Sequence, residues 1–232
     1  MIEIKEITKT YGSKSIIKHW QYRFENGKIY GLIGRNGIGK TTIMKCICGL
    51  VEPDSIELLT DQGDVSKLDY LTRNIYYLSD EPTYYNDLTL YEHLWIVCKV
   101  EGYKKAEAAE KISGLVTKFR MEEYLNFFPY AMSKGTLQRM MLMIAFLKKT
   151  RNILLDEPFN GLDPIQLKQS LDYCKICKND QYDRCIVISS HDIESLEAVC
   201  DCFLIFTKDG IVSIEEKIDR ARVNALIGDS YA

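Results

Sequence analysis

A glycine-rich segment in the first fifth of the chain restricts the possible folds more than any other feature. Residues 34–42 read GRNGIGKTT and match the pattern G-x-x-x-x-G-K-[ST]. An apolar run that ends at Ile33 predicts a strand before them, and the apolar spacing of residues 40–49 predicts a helix after them. Glycines let successive backbone N–H groups face one centre, and the helix adds the positive end of its dipole. This order predicts a phosphate-binding loop.

The side chains of this loop suit a nucleoside triphosphate. Lys40 supplies a full positive charge for the β and γ phosphates, and the Thr41 hydroxyl is a hard oxygen ligand for Mg²⁺. A glycine-rich turn that holds no ligand is the alternative, and the flanking strand and helix count against it. The residues predicted to bind the nucleotide are Gly34, Arg35, Asn36, Gly37, Ile38, Gly39, Lys40, Thr41 and Thr42.

Strand and helix patterns alternate along most of the chain. Apolar runs at 75–78, 152–155 and 185–189 predict strands, and helical patterns separate them. Strands that alternate with helices form a mostly parallel sheet with helices on its faces. The pattern is helical from Tyr84 to Ala131 and then returns to strands. We therefore expect an α/β fold that carries a helical insertion.

Composition argues against several classes of protein. Thirty basic and 33 acidic side chains give a net charge of −3, which argues against bulk electrostatic binding to nucleic acid. The longest apolar run, 140–147, is far shorter than the ~18 residues that span a bilayer, and no secretory signal is evident. The eight cysteines lie mostly in apolar stretches, which predicts reduced core thiols. Zinc or redox use of the pair Cys174 and Cys177 is the alternative.

Two adjacent carboxylates follow a predicted strand. Residues 152–158 read NILLDEP, so Asp156 and Glu157 lie where the apolar run ends. Phosphate-loop enzymes hold Mg²⁺ with an acidic residue at the end of a neighbouring strand. Successive side chains of an extended chain point to opposite sides, so we expect the two carboxylates to have different tasks. Asp156 is predicted to approach the metal and Glu157 to face the γ-phosphate and its attacking water; a solvated strand end is the alternative.

Three further segments identify a family. Residues 132–139 read MSKGTLQR, residues 159–163 read FNGLD, and residues 189–192 read SSHD. They lie where one family carries its signature motif, its D-loop and its switch-histidine motif. Over nearly its full length, the chain resembles the nucleotide-binding subunits of ATP-binding cassette (ABC) transporters. The resemblance implies an α/β fold: a P-loop (RecA-like) core with a mostly parallel sheet, an N-terminal antiparallel β subdomain and an inserted α-helical subdomain.

The resemblance also implies how the chain is divided. A single ABC ATP-binding domain is expected over residues 1–232. Within it, a RecA-like lobe is formed by about 1–83 and 137–214, a helical lobe by about 84–136, and a short C-terminal tail by 215–232.

Specific tasks for site residues follow from the resemblance. Tyr11 stacks on adenine, and Glu157 orients or deprotonates the attacking water. His191 and Lys40 stabilise the negative charge that develops during hydrolysis. Asp163 belongs to the D-loop. The signature residues of one subunit close over the γ-phosphate bound to the other subunit. These signature residues are Ser133, Lys134, Gly135 and Thr136. A simple helix N-cap is the alternative task for Ser133 and for Asp163.

One of the departures from the family pattern is at the Q-loop position. Asp80 stands where most members carry the Q-loop glutamine, and exporter-type members often have an acidic residue there. Asp80 can still contact Mg²⁺ through water, so we include it with Thr41 and Asp156 among the expected metal-binding residues. The acidic residue at position 80 and the short C-terminal tail favour export over import. The resemblance also implies that the membrane subunit docks in the groove around residues 80–87.

The expected cofactors are ATP and Mg²⁺. The expected partners are a second ATP-binding subunit, either an identical copy or a paralogue, and an integral membrane permease; no nucleic acid is expected. The resemblance implies a location at the cytoplasmic face of the cell membrane, reached through the permease. Two alternatives stay open: a soluble ABC-type ATPase that acts on ribosomes or DNA, and a nucleotide switch that does not hydrolyse ATP.

Overall fold

The computed structural model describes residues 1–67, 74–81, 83–215, 218 and 220–228, and over these residues the chain forms ten strands and seven helices. In chain order these are β1 (Ile2–Tyr11), β2 (Lys14–Phe24), β3 (Ile29–Ile33), α1 (Lys40–Cys48), β4 (Ser55–Thr60), β5 (Gly63–Asp64), β6 (Ile75–Leu78), α2 (Leu90–Val100), α3 (Lys105–Phe119), α4 (Lys134–Leu147), β7 (Asn152–Asp156), α5 (Pro164–Lys178), β8 (Cys185–Ser189), α6 (Ile193–Val199), β9 (Cys202–Phe206), β10 (Ile211–Ile214) and α7 (Arg220–Ile227). The seven helices are α-helices, and two short 3-10 helices, Glu122–Tyr124 and Pro129–Ala131, lie between α3 and α4. Among these helices, none is long and apolar enough to cross a bilayer, as far as the described residues extend.

A mostly parallel sheet lies at the centre of the molecule. Within the described residues its strand order is β10-β9-β3-β8-β7-β6, and only β10 joins antiparallel. β3, β7, β8 and β9 are buried at every position, as expected for parallel strands covered on both faces. Their side chains alternate between two cores: Ile153 and Leu155 face the helices α2 to α6, whereas Leu154 packs with α1.

A second, antiparallel sheet covers the α1 side. It has the order β2-β1-β4-β5 in the part of the chain that is described. Ile2, Ile4 and Ile7 of β1 are fully buried against the same core as Ile43 and Met44 of α1. The α2–α3 helices follow β6 and precede β7 in the chain. The fold class expected from the sequence is therefore confirmed, including the antiparallel subdomain.

The cysteines are packing residues in this fold. No disulfide forms among the eight cysteines, all of which the structure describes, and seven of them are buried. Burial raises the pKa of Cys177 and of Cys185 to about 12, so these thiols are weak nucleophiles near neutral pH.

Strand order gathers several loops at one edge of the central sheet. The carboxyl ends of β3, β6, β7 and β8 lie side by side, because these strands are parallel neighbours. Leu32 pairs with Ser189, and Ser189 pairs with Asp156. Open α/β sheets bind ligands at this edge. The loops that follow the four strands therefore meet at one place.

Candidate functional site

The glycine-rich segment forms a tight loop between β3 and α1. Its last glycine, Gly39, has a φ of 124° and caps α1, and a Cβ there would lie 2.7 Å from Cγ2 of Ile16. Only glycine fits both the backbone conformation and the close approach of β2. Gly34, Arg35 and Ile38 shape the loop, and Ile38 N donates to Arg35 O at 3.2 Å.

The Lys40 side chain folds back over this loop. Its Nζ donates to Gly34 O at 2.6 Å and to Arg35 O at 3.3 Å. The residue is 6% exposed, and burial lowers its pKa, an effect that the carboxylates of Glu157 and Asp156 oppose. A buried ammonium held by two carbonyls is a strong site for a phosphate anion, because the anion adds the missing counter-charge.

Asp156 at the end of β7 is held by two hydroxyl groups. It is 2% exposed, and its two carboxylate oxygens accept from different strands. Tyr77 of β6 donates to Oδ2 at 2.9 Å, and the Ser189 hydroxyl of β8 donates to Oδ1. A buried carboxylate is costly unless it is hydrogen-bonded, and these two donors meet that need.

Glu157 adopts a strained backbone next to Asp156. Its φ of 47° is in the left-handed region, which costs a non-glycine residue about 1–3 kcal/mol. Its N–H donates to both the carbonyl oxygen and the hydroxyl of Ser189, each at 3.1 Å, which offsets that cost. Backbone strain of this kind concentrates at functional sites.

The Glu157 side chain is paired with a histidine from the loop after β8. Nδ1 of His191 lies 3.0 Å from Oε2 of Glu157. Because an ionised carboxylate can only accept, the arrangement favours the tautomer in which Nδ1 carries the hydrogen. The Glu157 side chain is 14% exposed and that of His191 60%. The pair therefore presents a mostly buried carboxylate and an exposed imidazole to the same space.

These groups line one cleft of about 520 Å³. The lining residues are Tyr11, Ile16, Asn36, Gly37, Gly39, Lys40, Thr41, Thr42, Asp80, Asp156, Glu157, Asn160 and His191. The half-exposed Tyr11 ring is at its mouth, with Nζ of Lys9 4.9 Å from the ring centroid. Asp80 accepts from Nδ2 of Asn160 at 3.2 Å.

The chemistry of the cleft fits a hard divalent cation with a polyphosphate. Thr41, Asp80 and Asp156 supply a hydroxyl and two carboxylates to the lining of the same cleft as the Lys40 ammonium. Oxygen ligands of this kind suit Mg²⁺, which keeps several of its ligands as water and substrate phosphate oxygens. No cluster of three or more His, Cys, Asp or Glu residues suited to a metal occurs in the described part of the chain.

The signature residues lie outside this cleft. Ser133 is the N-cap of α4: its hydroxyl accepts from Thr136 N at 3.2 Å and lies 2.9 Å from the Thr136 hydroxyl. Gly135 is buried against the D-loop, since a Cβ there would lie 2.5 Å from Gly161 O. A Cβ at Gly161 would lie 3.3 Å from Cγ and Cδ of the exposed Lys134 side chain. None of the four signature residues is among those that line the cleft in the described chain.

Asp163 caps the next helix of this region. Its carboxylate accepts from Ile165 N and Gln166 N, each at 2.9 Å, and Gln166 returns a bond to Asp163 N. Pro164 begins α5. The N-cap task considered for Ser133 and Asp163 is thus present at both residues, and it does not exclude a contact with another chain.

Four residues of the site had no predicted role. Tyr77 and Ser189 bind Asp156, Ile16 packs under Gly39, and Asn160 binds Asp80. Ser189 and Asn160 lie inside motifs that the sequence does reveal, so their polar side chains were a usable signal. Tyr77 and Ile16 come from strands with no motif of their own, and only the strand order reveals them.

Comparisons with known proteins point to one family. The family model described as ABC transporter matches residues 17–160. The chain is 33% identical over 207 residues to the ABC-type transporter ATP-binding protein EcsA of Bacillus subtilis (strain 168), an overlap of 88% of this chain and 83% of that protein. It is 29% identical to the lantibiotic transport ATP-binding protein SrtF of Streptococcus pyogenes, over 94% of this chain and 92% of that one. A solved structure of an ATP-binding subunit of an ABC transporter matches with a TM-score of 0.84 and 29% identity, covering 98% of this chain and 95% of that chain. The chain belongs to the ABC transporter family.

Proposed function

We propose that this chain is the ATP-hydrolysing subunit of an ABC exporter, which couples nucleotide-driven dimer closure to substrate movement by a separate membrane subunit. The observation that carries the proposal is the composition of the 520 Å³ cleft. It contains every group that binding and hydrolysing ATP requires of one subunit, whereas the signature residues begin a helix elsewhere.

Nucleotide binding is assigned to the glycine loop and Tyr11. The loop N–H groups and the Lys40 ammonium bind the phosphates, and the half-exposed Tyr11 ring stacks on the adenine. Thr41, Asp156 and Asp80 would hold the Mg²⁺ that accompanies ATP. When bound, this cation neutralises negative charge that develops on the phosphate oxygens.

Hydrolysis is assigned to Glu157 and His191. The Glu157 carboxylate accepts a proton from the attacking water or orients it for in-line attack on the γ-phosphate. The 3.0 Å bond from His191 fixes the direction of that carboxylate and puts an imidazole beside the developing charge. Lys40 binds the same charge from the loop side.

The position of the signature residues supports a dimer. In one chain, the P-loop cleft is open and the signature residues do not line it. The exposed Ser133 hydroxyl and the N–H groups at the start of α4 form a second anion site. Two subunits arranged head to tail place the start of α4 of one over the γ-phosphate of the other. An identical copy and a paralogue are both compatible with this arrangement.

The membrane partner is assigned to a groove beside the cleft. A groove of about 580 Å³ lies between the end of α1, β6 and α4 and is lined in part by Leu50, Tyr76, Glu81, Thr83 and Met141. It borders the predicted docking region at 80–87, where Tyr85 is 69% exposed and offers an apolar anchor. The permease would hold the chain at the cytoplasmic face of the membrane.

Export of a peptide is the transport direction and substrate class that we propose. Asp80 at the Q-loop position is the exporter-like feature of this sequence. One of the relatives is named as a lantibiotic transport protein, and the chain spans 92% of its length. Lantibiotics are peptides, so a related chain is reasonably assigned a peptide cargo.

The test uses the Glu157→Gln variant of the full chain. Glutamine cannot accept the proton but keeps the shape of the side chain, so hydrolysis should fall by about 100- to 10,000-fold while ATP still binds. With ATP and Mg²⁺ the variant should shift from monomer to dimer in size-exclusion chromatography with light scattering. Adding Lys40→Ala to it is the matched control and should prevent the shift. Wild-type turnover in the Glu157→Gln variant would refute the role of Glu157.

The partner is tested with the same variant. Tagged protein is incubated with gently solubilised native membranes, ATP and Mg²⁺, and bound proteins are identified by mass spectrometry. A stoichiometric polytopic membrane protein is expected. Recovery of ribosomal proteins or DNA-bound factors without a membrane protein would contradict the transporter proposal and favour the soluble ATPase.

A further inference from the structure

Asp156 is bound at both carboxylate oxygens by hydroxyls from the strands on either side. β7 lies between β6 and β8 in the sheet, and each neighbour contributes one donor. Tyr77 reaches across from β6 to Oδ2, and Ser189 lies opposite Asp156 on β8 and donates to Oδ1. We call these two residues the hydroxyl clamp. With both oxygens bound, the carboxylate plane cannot rotate without breaking a hydrogen bond.

Ser189 connects this clamp to Glu157. The Ser189 hydroxyl has one hydrogen, which it donates to Asp156, and it accepts the Glu157 N–H at 3.1 Å. The carbonyl oxygen of Ser189 accepts the same N–H at 3.1 Å. One serine thus orients the carboxylate of Asp156 and supports the strained backbone of Glu157, whose φ is 47°.

Tyr77 is the donor in its hydrogen bond with Asp156. Its hydroxyl donates because an ionised carboxylate can only accept. The ring is 7% exposed and packs in the core beside α1. The aromatic ring therefore packs in the core, while the hydroxyl donates to Asp156.

We propose that Tyr77 and Ser189 are positioning residues that fix the orientation of Asp156 toward the cation bound with ATP, and so set the affinity of the site for that cation. The inference rests on the proposed function, in which Asp156 binds Mg²⁺ in the presence of ATP. Partners of a metal-binding carboxylate fix its direction, and their removal typically weakens metal affinity 10- to 100-fold. The nucleotide itself is bound by other residues, mainly those of the glycine loop.

Three substitutions separate the hydroxyls from the rest of each side chain. Tyr77→Phe keeps the ring in the core and removes the donor, Ser189→Ala removes the other donor, and Ser189→Thr retains a hydroxyl. Tyr30→Phe is the matched control: Tyr30 is 2% exposed in the same core, and its hydroxyl accepts from Glu25 N at 2.7 Å. It removes a buried hydrogen bond that is not near Asp156.

The readout is metal binding and not turnover. Mn²⁺ is titrated by electron paramagnetic resonance into the full chain with a non-hydrolysable ATP analogue, and the affinity for the analogue is also measured in EDTA. We expect Tyr77→Phe and Ser189→Ala to weaken Mn²⁺ binding by about 10-fold each. Affinity for the analogue in EDTA should stay within about twofold, and Ser189→Thr should restore Mn²⁺ binding. Tyr30→Phe should bind Mn²⁺ as the wild type does.

Two results would overturn the inference, and they are distinguishable from a failure of the proposed function. If the wild type binds Mn²⁺ with the analogue but Tyr77→Phe and Ser189→Ala bind it equally well, the clamp has no effect on the metal. If Tyr30→Phe weakens binding to the same extent, the effect is one of general stability. If the wild type itself shows no nucleotide-dependent Mn²⁺ binding, the proposed function fails and the clamp with it. If Tyr77→Phe does not fold, the comparison of Ser189→Ala with Ser189→Thr tests whether the clamp affects Mn²⁺ binding.

Discussion

The nucleotide cleft and the start of α4 both present groups suited to phosphate, and they differ in how each is built. The cleft combines side chains from the ends of β6, β7 and β8 with the loop after β3. Its charged residues Lys40 and Asp156 are buried. Ser133, in contrast, is exposed, and its hydroxyl bonds only three residues along its own helix, to Thr136.

This difference has a structural consequence. The cleft is organised within one chain, since Asp156, Glu157 and Asp80 each have a partner from another strand or loop, and Lys40 is held by the glycine loop. The start of α4 depends on local contacts and on the D-loop, where Gly135 packs against Gly161. A surface that is polar, exposed and locally satisfied can bind a phosphate brought by another molecule without rearranging its own core. The comparison therefore favours a site completed between two subunits.

The largest expected effect comes from Lys40→Ala in the cleft. It removes the ammonium that binds phosphate and leaves the carbonyls of Gly34 and Arg35 without their donor. A hydrogen bond to a charged group contributes about 1.5–3 kcal/mol, so the Kd for ATP should rise by about 10- to 150-fold. Isothermal titration calorimetry in EDTA measures this directly.

Lys45→Ala is the control for that experiment. Lys45 is on the same helix, α1, and lines the neighbouring groove instead of the nucleotide cleft. Its removal should leave the ATP affinity within about twofold. Unchanged ATP affinity in Lys40→Ala would contradict the phosphate-loop assignment and, with it, the contrast between the two regions.

The sequence predicts those parts of the cleft that carry a local signal, and it does not predict contacts that depend on strand order. The glycine loop, Asp156 and Glu157 carry local signals, because each is next to an apolar run that predicts a strand. The strands at 75–78 and 185–189 are found at those bounds. Tyr77 could not be assigned to Asp156, because that contact depends on β6 being the neighbour of β7. Strand order of this kind is a property of the whole sheet and is not encoded in a local pattern.

In the signature region, a local task was predictable from the sequence and a contact between distant segments was not. A helix N-cap at Ser133 was predicted as an alternative task, because that signal is local. The packing of Gly135 on Gly161 was not, since nothing in the sequence reveals that the D-loop passes over the start of α4. The glycine thus has a steric task inside one chain, in addition to its predicted task toward a second subunit.

Gly135→Ala should have the next largest effect. The added Cβ would lie 2.5 Å from Gly161 O and 3.0 Å from Oε1 of Gln166, so the D-loop must move. Overpacking of this kind costs about 1–3 kcal/mol of unfolding free energy, and hydrolysis should be lost as the start of α4 shifts. Urea unfolding and ATPase assays measure the two effects.

Gly114→Ala in the neighbouring helix is the control, and it should change the unfolding free energy in the opposite direction. A Cβ at Gly114, inside α3, meets no atom within 4 Å. Alanine should therefore stabilise the protein by up to about 1 kcal/mol and leave hydrolysis unchanged. A Gly135→Ala protein as stable and active as Gly114→Ala would show that the D-loop contact is not needed.

A smaller effect on stability is expected from Ser133→Ala, compared with Thr89→Ala. Both residues are N-caps: Ser133 accepts from Thr136 N, and Thr89 forms a capping box with Glu92 at the start of α2. Each substitution should cost about 1 kcal/mol. Hydrolysis should fall only in Ser133→Ala, because only that hydroxyl faces a second subunit in the proposed dimer. Equal ATPase activity of the two variants at matched stability would leave Ser133 as a cap alone.

The smallest effect is expected at Asn160, which belongs to the D-loop and connects the two regions. Asn160 donates to Asp80 in the cleft at 3.2 Å, and the next residue, Gly161, packs against Gly135 at the start of α4. The bond is exposed, so Asn160→Ala should change the unfolding free energy by less than about 0.5 kcal/mol.

Asn160→Asp places a second carboxylate beside Asp80, and like charges this close repel each other. That variant should therefore hydrolyse ATP more slowly than Asn160→Ala at low salt and approach it at high salt, where repulsion is screened. Identical salt dependence of the two ATPase rates would argue that the D-loop and the cleft act independently.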